Sequence, residues 1–245
     1  MLMRKTPSPF LSTTFFALLA GGVSNAAVIQ IAVEADTYIR NDAAGPNTIN
    51  DGDADNEIII GVNGSSTAEL RGLLRFDLAP LLGMMGGTIN SVTLTGTTRT
   101  GAPGGQNATP STLTLDVFDY GFEFVEANAS FNNPAGNGAD TTAGGTVGTL
   151  LSTESVLNPA SLPSGQSVVF GDSAAFRTAV SDQLAGDLTL NLLVIGTSNT
   201  DQSFLRFDDE DRPNPFLLTV DIVPEPSSAL LAALGSLLVL RRRQR

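Results

Sequence analysis

Between residues 28 and 222, apolar and polar side chains alternate in short runs, the period-two pattern of half-buried strands. Residues 28–34 open the series and 37–40 continue it past Asp36. Runs at 58–60, 70–78, 89–98 and 113–120 follow, then 166–170, 188–195, 204–207 and 216–222. Loops rich in Gly, Asn, Pro and Ser separate them, notably 101–110 and 132–145. One stretch breaks the rule. Across 172–184, Ala175, Phe176, Ala179, Val180 and Leu184 share a helical face, with Asp172 or Ser173 as cap and Gly186 as stop. The expected fold is therefore all-β: an antiparallel β-sandwich of the jelly-roll kind, with one short helix near 172–184 and no internal domain boundary.

Both ends depart from that pattern. Arg4 and Lys5 precede an apolar run over 10–23, and Ser24-Asn25-Ala26 puts small residues at the −3 and −1 positions of a signal-peptidase site. Residues 1–26 are thus expected to be a signal peptide cleaved after Ala26. A buried N-terminal helix fits less well, because Gly21-Gly22 and the strand-like run after them stop it. At the other end stand Pro224-Glu225-Pro226, an apolar stretch over 229–240, and a terminal cluster of Arg241, Arg242, Arg243 and Arg245. The prolines exclude helix and sheet locally. The apolar stretch would enter a bilayer as a helix, with the arginines on the cytoplasmic side. It resembles the PEP-CTERM sorting tail of Gram-negative bacteria. That resemblance implies cleavage by an exosortase near Pro224, Glu225 and Pro226, transient anchoring in the inner membrane, and delivery to the cell surface or extracellular matrix. A permanent single-helix anchor is the alternative, but 227–240 falls short of the ~20 apolar residues a spanning helix needs. The expected organisation is 1–26 signal peptide, 27–222 β domain and 223–245 sorting tail.

Composition narrows the chemistry. The chain has no Cys, His or Trp, and its single lysine is Lys5. Disulfides, zinc sites built on Cys or His, Ser-His-Asp and Cys-His catalysis, and lysine Schiff bases in the β domain are all excluded. Acid–base work by carboxylates or tyrosine survives, so a two-carboxylate glycosidase remains formally open. The formal net charge is −12, and most of the end segments' charge is basic, so the β domain is more acidic still. Nucleic acid is excluded as a partner for such a surface. Cations, cationic surfaces or neutral glycans are not, and acidity can also serve solubility alone.

Asp51, Asp53, Asp55 and Glu57 place carboxylates at every second position of one segment. Hard oxygen ligands at this spacing suit Ca²⁺. The segment starts like an EF-hand loop and then fails as one, with Asn56 at the glycine position and Val62 at the bidentate-glutamate position. A solvated acidic turn is the competing reading. Asp208-Asp209-Glu210-Asp211 raises the same question, with Arg206 and Arg212 available to neutralise part of it.

Two segments echo each other, Leu73-Leu74-Arg75-Phe76-Asp77 and Phe204-Leu205-Arg206-Phe207-Asp208. Strand periodicity sends Leu74, Phe76, Leu205 and Phe207 into the core. It leaves Arg75 with Asp77, and Arg206 with Asp208, as same-strand ion pairs on the opposite face.

An ordered series of motifs resembles the DNRLRE-type, carbohydrate-binding-module-like jelly rolls of secreted bacterial and archaeal proteins. It runs Ala35-Asp36-Thr37-Tyr38-Ile39, Asn50-Asp51-Gly52, Ile59-Ile60-Gly61, then 71–78 and 88–94. Phe124-Val125-Glu126 with Ala129-Ser130-Phe131-Asn132 is similar to that family's following strand, where Trp is usual at the Phe131 position. The resemblance implies glycan binding. Sugar rings favour flat aromatic platforms, and Phe131, beside Asn132 and Asn133, is the candidate ligand-binding residue. Tyr38 and Tyr120 read as core-edge residues. The expected function is a non-catalytic, exopolysaccharide-associated surface or matrix protein. A carbohydrate-binding module with a defined glycan is the alternative, and a carboxylate glycosidase is disfavoured because no acid–base pair stands out.

Overall fold

The computed structural model describes residues 26–41, 45–49, 57–64, 68–101, 103–107 and 110–223. The signal-peptide residues before Ala26, the sorting motif Pro224-Glu225-Pro226 and the carboxylates Asp51, Asp53 and Asp55 lie outside these. So do the terminal helices expected from sequence.

Every strand pairing is antiparallel. In chain order the strands are β1 (Ala27–Ala32), β2 (Ala35–Arg40), β3 (Glu57–Asn63), β4 (Glu69–Asp77), β5 (Thr88–Thr97) and β6 (Gly105–Asn107). They continue with β7 (Thr112–Asp119), β8 (Leu150–Leu157), β9 (Ser167–Phe170), β10 (Thr189–Ser198), β11 (Gln202–Asp208) and β12 (Leu217–Val223). A small sheet has the order β1-β12-β5-β9. A larger one runs β6-β11-β3-β4-β10-β7-β8, with β2 paired to β4. The expectation of an all-β sandwich holds at this level.

The large sheet curls at one joint. β2 follows β4 from Ala35↔Arg75 to Arg40↔Leu70, whereas β3 meets β4 only at Gly61↔Leu70 and Val62↔Glu69. There the backbones approach too closely for side chains. A Cβ on Gly196 of β10 would stand 2.6 Å from the Gly61 Cα, so glycine is required.

Two apolar clusters form on opposite faces of the large sheet. The main core collects Leu74, Phe76, Leu192 and Val194 with Ile58, Ile60, Phe207 and Phe216. The second cluster takes the alternate residues Ala35, Ile39, Leu73 and Leu193, and the segment after β7 closes it with Tyr120, Phe124, Ala129 and Phe131. Burial on both faces explains why β4 and β10 read as continuous apolar runs rather than as clean alternation.

The single α-helix among the described residues, α1 (Ala174–Ala185), starts where Ser173 Oγ accepts the Phe176 N–H at 3.0 Å. It seats Phe176, Val180 and Leu184 in the main core.

Three local expectations are corrected. No strand forms across 124–132: a 3-10 turn spans Glu126–Asn128, and a lone bridge joins Ser130 to Asn133. β8 is not among the runs expected from sequence, and its pairing with β7 shifts register between Val117 and Phe118, which interrupts the period of two. The same-strand ion pairs also give way. Arg75 turns to Glu34 at 3.3 Å, while Asp77 accepts the Ala79 N–H at 2.8 Å and starts the next turn. Arg206 stands 3.9 Å from Glu57, and Asp208 instead accepts the Thr100 N–H and hydroxyl at 2.8 and 2.7 Å.

Candidate functional site

Three chain segments bring carboxylates to one place beside β2. Asp36 shares a face with Tyr38, a main-core residue, and therefore points inward. Glu126 opens the 3-10 turn Glu126–Asn128. Asp209 and Glu210 follow β11, where Asp208's bonds to Thr100 fix the exit of the strand and Arg212 N donates to Asp209 O at 3.1 Å. One carboxylate oxygen from each of Asp36, Glu126 and Glu210 lies within 4.8 Å of the others. Asp36 is 0 % exposed and Asp209 1 %.

The electrostatics are severe. Neither oxygen of Asp36 or Asp209 accepts a hydrogen bond of good geometry. Like charges at this separation repel by roughly 3–4 kcal/mol per pair at the effective dielectric of a protein site. Burial, a contact with the Glu210 carboxylate that needs a shared proton, and the charges of Glu210, Asp209 and Glu126 push the Asp36 carboxyl up to about 11. Burial, then Glu210 and Asp211, raise Asp209 to about 6, although Arg212 and the Asp211 amide pull it back. An ionised cluster of this kind requires counter-charge; all-oxygen donors of this type suit a hard cation.

A shallow groove of about 430 Å³ borders the cluster, lined by Arg75, Glu123, Phe124, Val125, Glu126 and Asn137. Arg75 donates to the Phe124 carbonyl at 3.2 Å and lies 5.7 Å over the Phe124 ring. Asn137 donates to the Glu123 carbonyl at 3.3 Å. These contacts hold the segment after β7 against the large sheet.

The residues singled out from sequence fall in several places. Glu57 is buried at the start of β3, paired with Arg99 and near Arg206, so two guanidiniums already balance its charge. Phe131 is 6 % exposed and packs in the second cluster with the Arg71 guanidinium 5.4 Å over its ring. Tyr38 and Tyr120 are both buried, and Tyr120 donates to Asp140 at 3.0 Å. The run 208–211 contributes to the cluster through Asp209 and Glu210. Asp36 and Glu126 were not singled out as ligands, yet Asp36 carried a signal: it is the one carboxylate in the strand Ala35–Arg40, whose first five residues are all buried.

No protein-family model matches the chain, and no curated protein shows significant similarity to it.

Proposed function

We propose that this chain is an exported, non-catalytic jelly-roll protein of the cell surface or extracellular matrix, associated with exopolysaccharide and processed by signal peptidase and an exosortase. The order of charge, apolar run and small residues at the N-terminus supports export. The Pro-Glu-Pro, apolar and arginine series supports sorting. Two antiparallel sheets whose neighbours are far apart in sequence, such as β1 with β12 and β4 with β10, support the jelly roll. One observation carries the non-catalytic reading: the buried carboxylates Asp36, Asp140, Asp208 and Asp209, each at most 2 % exposed, are sealed within the domain. Glycoside hydrolysis needs two carboxylates facing the substrate in an open cleft; of the two that line the groove, Glu126 belongs to the carboxylate cluster, which leaves Glu123 without a second catalytic partner there.

Fractionating cells that express the full chain tests this reading. The shortened protein should collect at the cell surface, and replacing Pro224, Glu225 and Pro226 with alanine should leave a longer, membrane-retained form. A wild-type chain that keeps its full length in the cytoplasm would sink the proposal. Reducing-sugar release from a panel of polysaccharides would instead establish the glycosidase.

The groove beside Arg75 favours a second reading, a carbohydrate-binding module. Arg75, Glu123 and Asn137 offer polar groups there, beside the exposed Val125. Saturable binding on a glycan array, weakened by Arg75→Ala, is the expected result for that reading; no saturable binding would remove it.

A further inference from the structure

We infer that Asp36, Glu126 and Glu210, with Asp209 beside them, form a calcium site that ties the edge of β2 to the turns after Val125 and after β11. These are different residues from the Asp51–Glu57 segment to which local spacing points.

Geometry carries the inference. Calcium holds oxygens at about 2.3–2.6 Å, so oxygens on opposite sides of one ion stand roughly 4.6–5.2 Å apart. The oxygens of Asp36, Glu126 and Glu210 all lie within 4.8 Å of one another, inside the span of a single coordination sphere. A second observation is independent of that spacing. Asp209, next to Glu210, is 1 % exposed, and neither of its carboxylate oxygens accepts a hydrogen bond of good geometry. Asp36 itself is 0 % exposed with both oxygens unpartnered. Buried carboxylates are ordinarily matched by donors or coordinate metals. The charges acting on Asp36 from neighbouring elements are those of Glu210, Asp209 and Glu126, all of one sign. A proton compensates one carboxylate; a divalent ion compensates several.

The donor set selects the metal. With no His or Cys in the chain, nitrogen and sulfur ligands that favour zinc or copper are absent. Magnesium demands a near-ideal octahedron at 2.0–2.1 Å and retains its waters, which suits an open site better than a sealed Asp36. Calcium accepts irregular carboxylate sets and draws its remaining oxygens from carbonyls or water.

The ion bridges segments remote in sequence, so binding is expected to stabilise the fold. At a hundredfold excess over Kd, linkage predicts a melting-temperature rise on the order of 5–10 °C for a domain of this size. The test uses the full-length chain, stripped with chelator and titrated with calcium chloride alone, followed by thermal melting and calorimetry. One calcium per chain at this site and a rise of that order are expected. Asp36→Asn should abolish the rise while melting in chelator close to the wild type, because the amide keeps the size of the side chain and removes only a carboxylate ligand. Glu210→Gln, at a less buried position, should weaken calcium binding at least tenfold and guards against a folding defect in the first variant. Asp53→Ala should leave the rise intact. Identical melting with and without calcium would overturn the inference. So would a calcium shift undiminished in both Asp36→Asn and Glu210→Gln, or one lost in Asp53→Ala instead. An equal shift with magnesium chloride would overturn the assignment of calcium.

Discussion

Asp140 and Asp36 are both buried carboxylates of one domain, and their surroundings are opposite. Asp140, 2 % exposed, accepts four hydrogen bonds: from the Tyr120 hydroxyl at 3.0 Å, the Thr142 N–H at 2.9 Å, and the Thr146 N–H and hydroxyl at 2.7 and 3.0 Å. Burial alone would raise its pKa, but the Thr146 and Thr142 amides and the Tyr120 and Thr146 hydroxyls outweigh burial and hold it below the ordinary range. Asp36 meets no donor, only other carboxylates. Three of Asp140's four donors come from the six residues that follow it, so a turn can wrap its own acid. Asp36's neighbours come from 126 and 209–210, and they bring the same charge. The first acid is a finished structural element of the protein alone, whereas the second meets only groups of its own charge.

Truncating the satisfied acid should have the largest effect on the metal-free protein. Asp140→Ala strands the Tyr120 hydroxyl and two backbone amides, at a cost of about 3 kcal/mol. Thermal melting would register that as a drop of roughly 6–12 °C; a drop under ~2 °C would erase the contrast. The pH dependence has a definite sign. Because the folded pKa of Asp140 is depressed, its stabilisation is complete above the unfolded value near ~3.9 and is lost as pH falls through the folded value. The urea midpoint of the wild type should therefore approach that of Asp140→Asn as pH falls from about 5 to about 2.

Asp36→Asn should move the melting temperature in chelator by less than about 2 °C, because the buried carboxyl, pushed up to about 11, is already neutral near pH 7. A fall of more than about 4 °C would mean that unseen donors satisfy Asp36. Tyr120→Phe removes one of four bonds to Asp140 and should cost about 1 kcal/mol, read as a small decrease in the urea midpoint. Glu34 is the control: it sits two residues from Asp36, is half exposed at 52 %, and pairs with Arg75 at 3.3 Å. Glu34→Gln should shift stability by less than ~0.5 kcal/mol, so a larger loss would show that charge near β2 matters regardless of burial.

Much of the fold was legible because strand periodicity is local. Residues 70–78, 89–98, 113–120 and 216–222 became β4, β5, β7 and β12 within a residue at either end, and 172–184 became α1 with Ser173 as its cap. The failures are as informative. Gly105-Gln106-Asn107 has the composition of a turn and is a strand only because β11 offers it an edge. The segment after β7 is irregular because it serves as a cover, burying Phe124, Ala129 and Phe131 on the outer face of the large sheet. Phe131 shows how adjacency misleads, since two neighbouring asparagines suggested exposure and the ring is buried beneath Arg71.

For the candidate site the division is sharper. A linear sequence displays carboxylates that are close along the chain, so it pointed to Asp51, Asp53, Asp55 and Glu57, and half-noticed 208–211. It could not show that Asp36, Glu126 and Glu210 share one point, because that depends on how β2, β4 and β11 pair and where the cover after β7 folds back. The amino-acid sequence by itself determined most of the strands, the helix at 174–185, the chemistry excluded by the absence of His and Cys, and an excess of negative charge. Only the tertiary structure decided which of those charges would be buried together, since burial and repulsion are properties of distance in space.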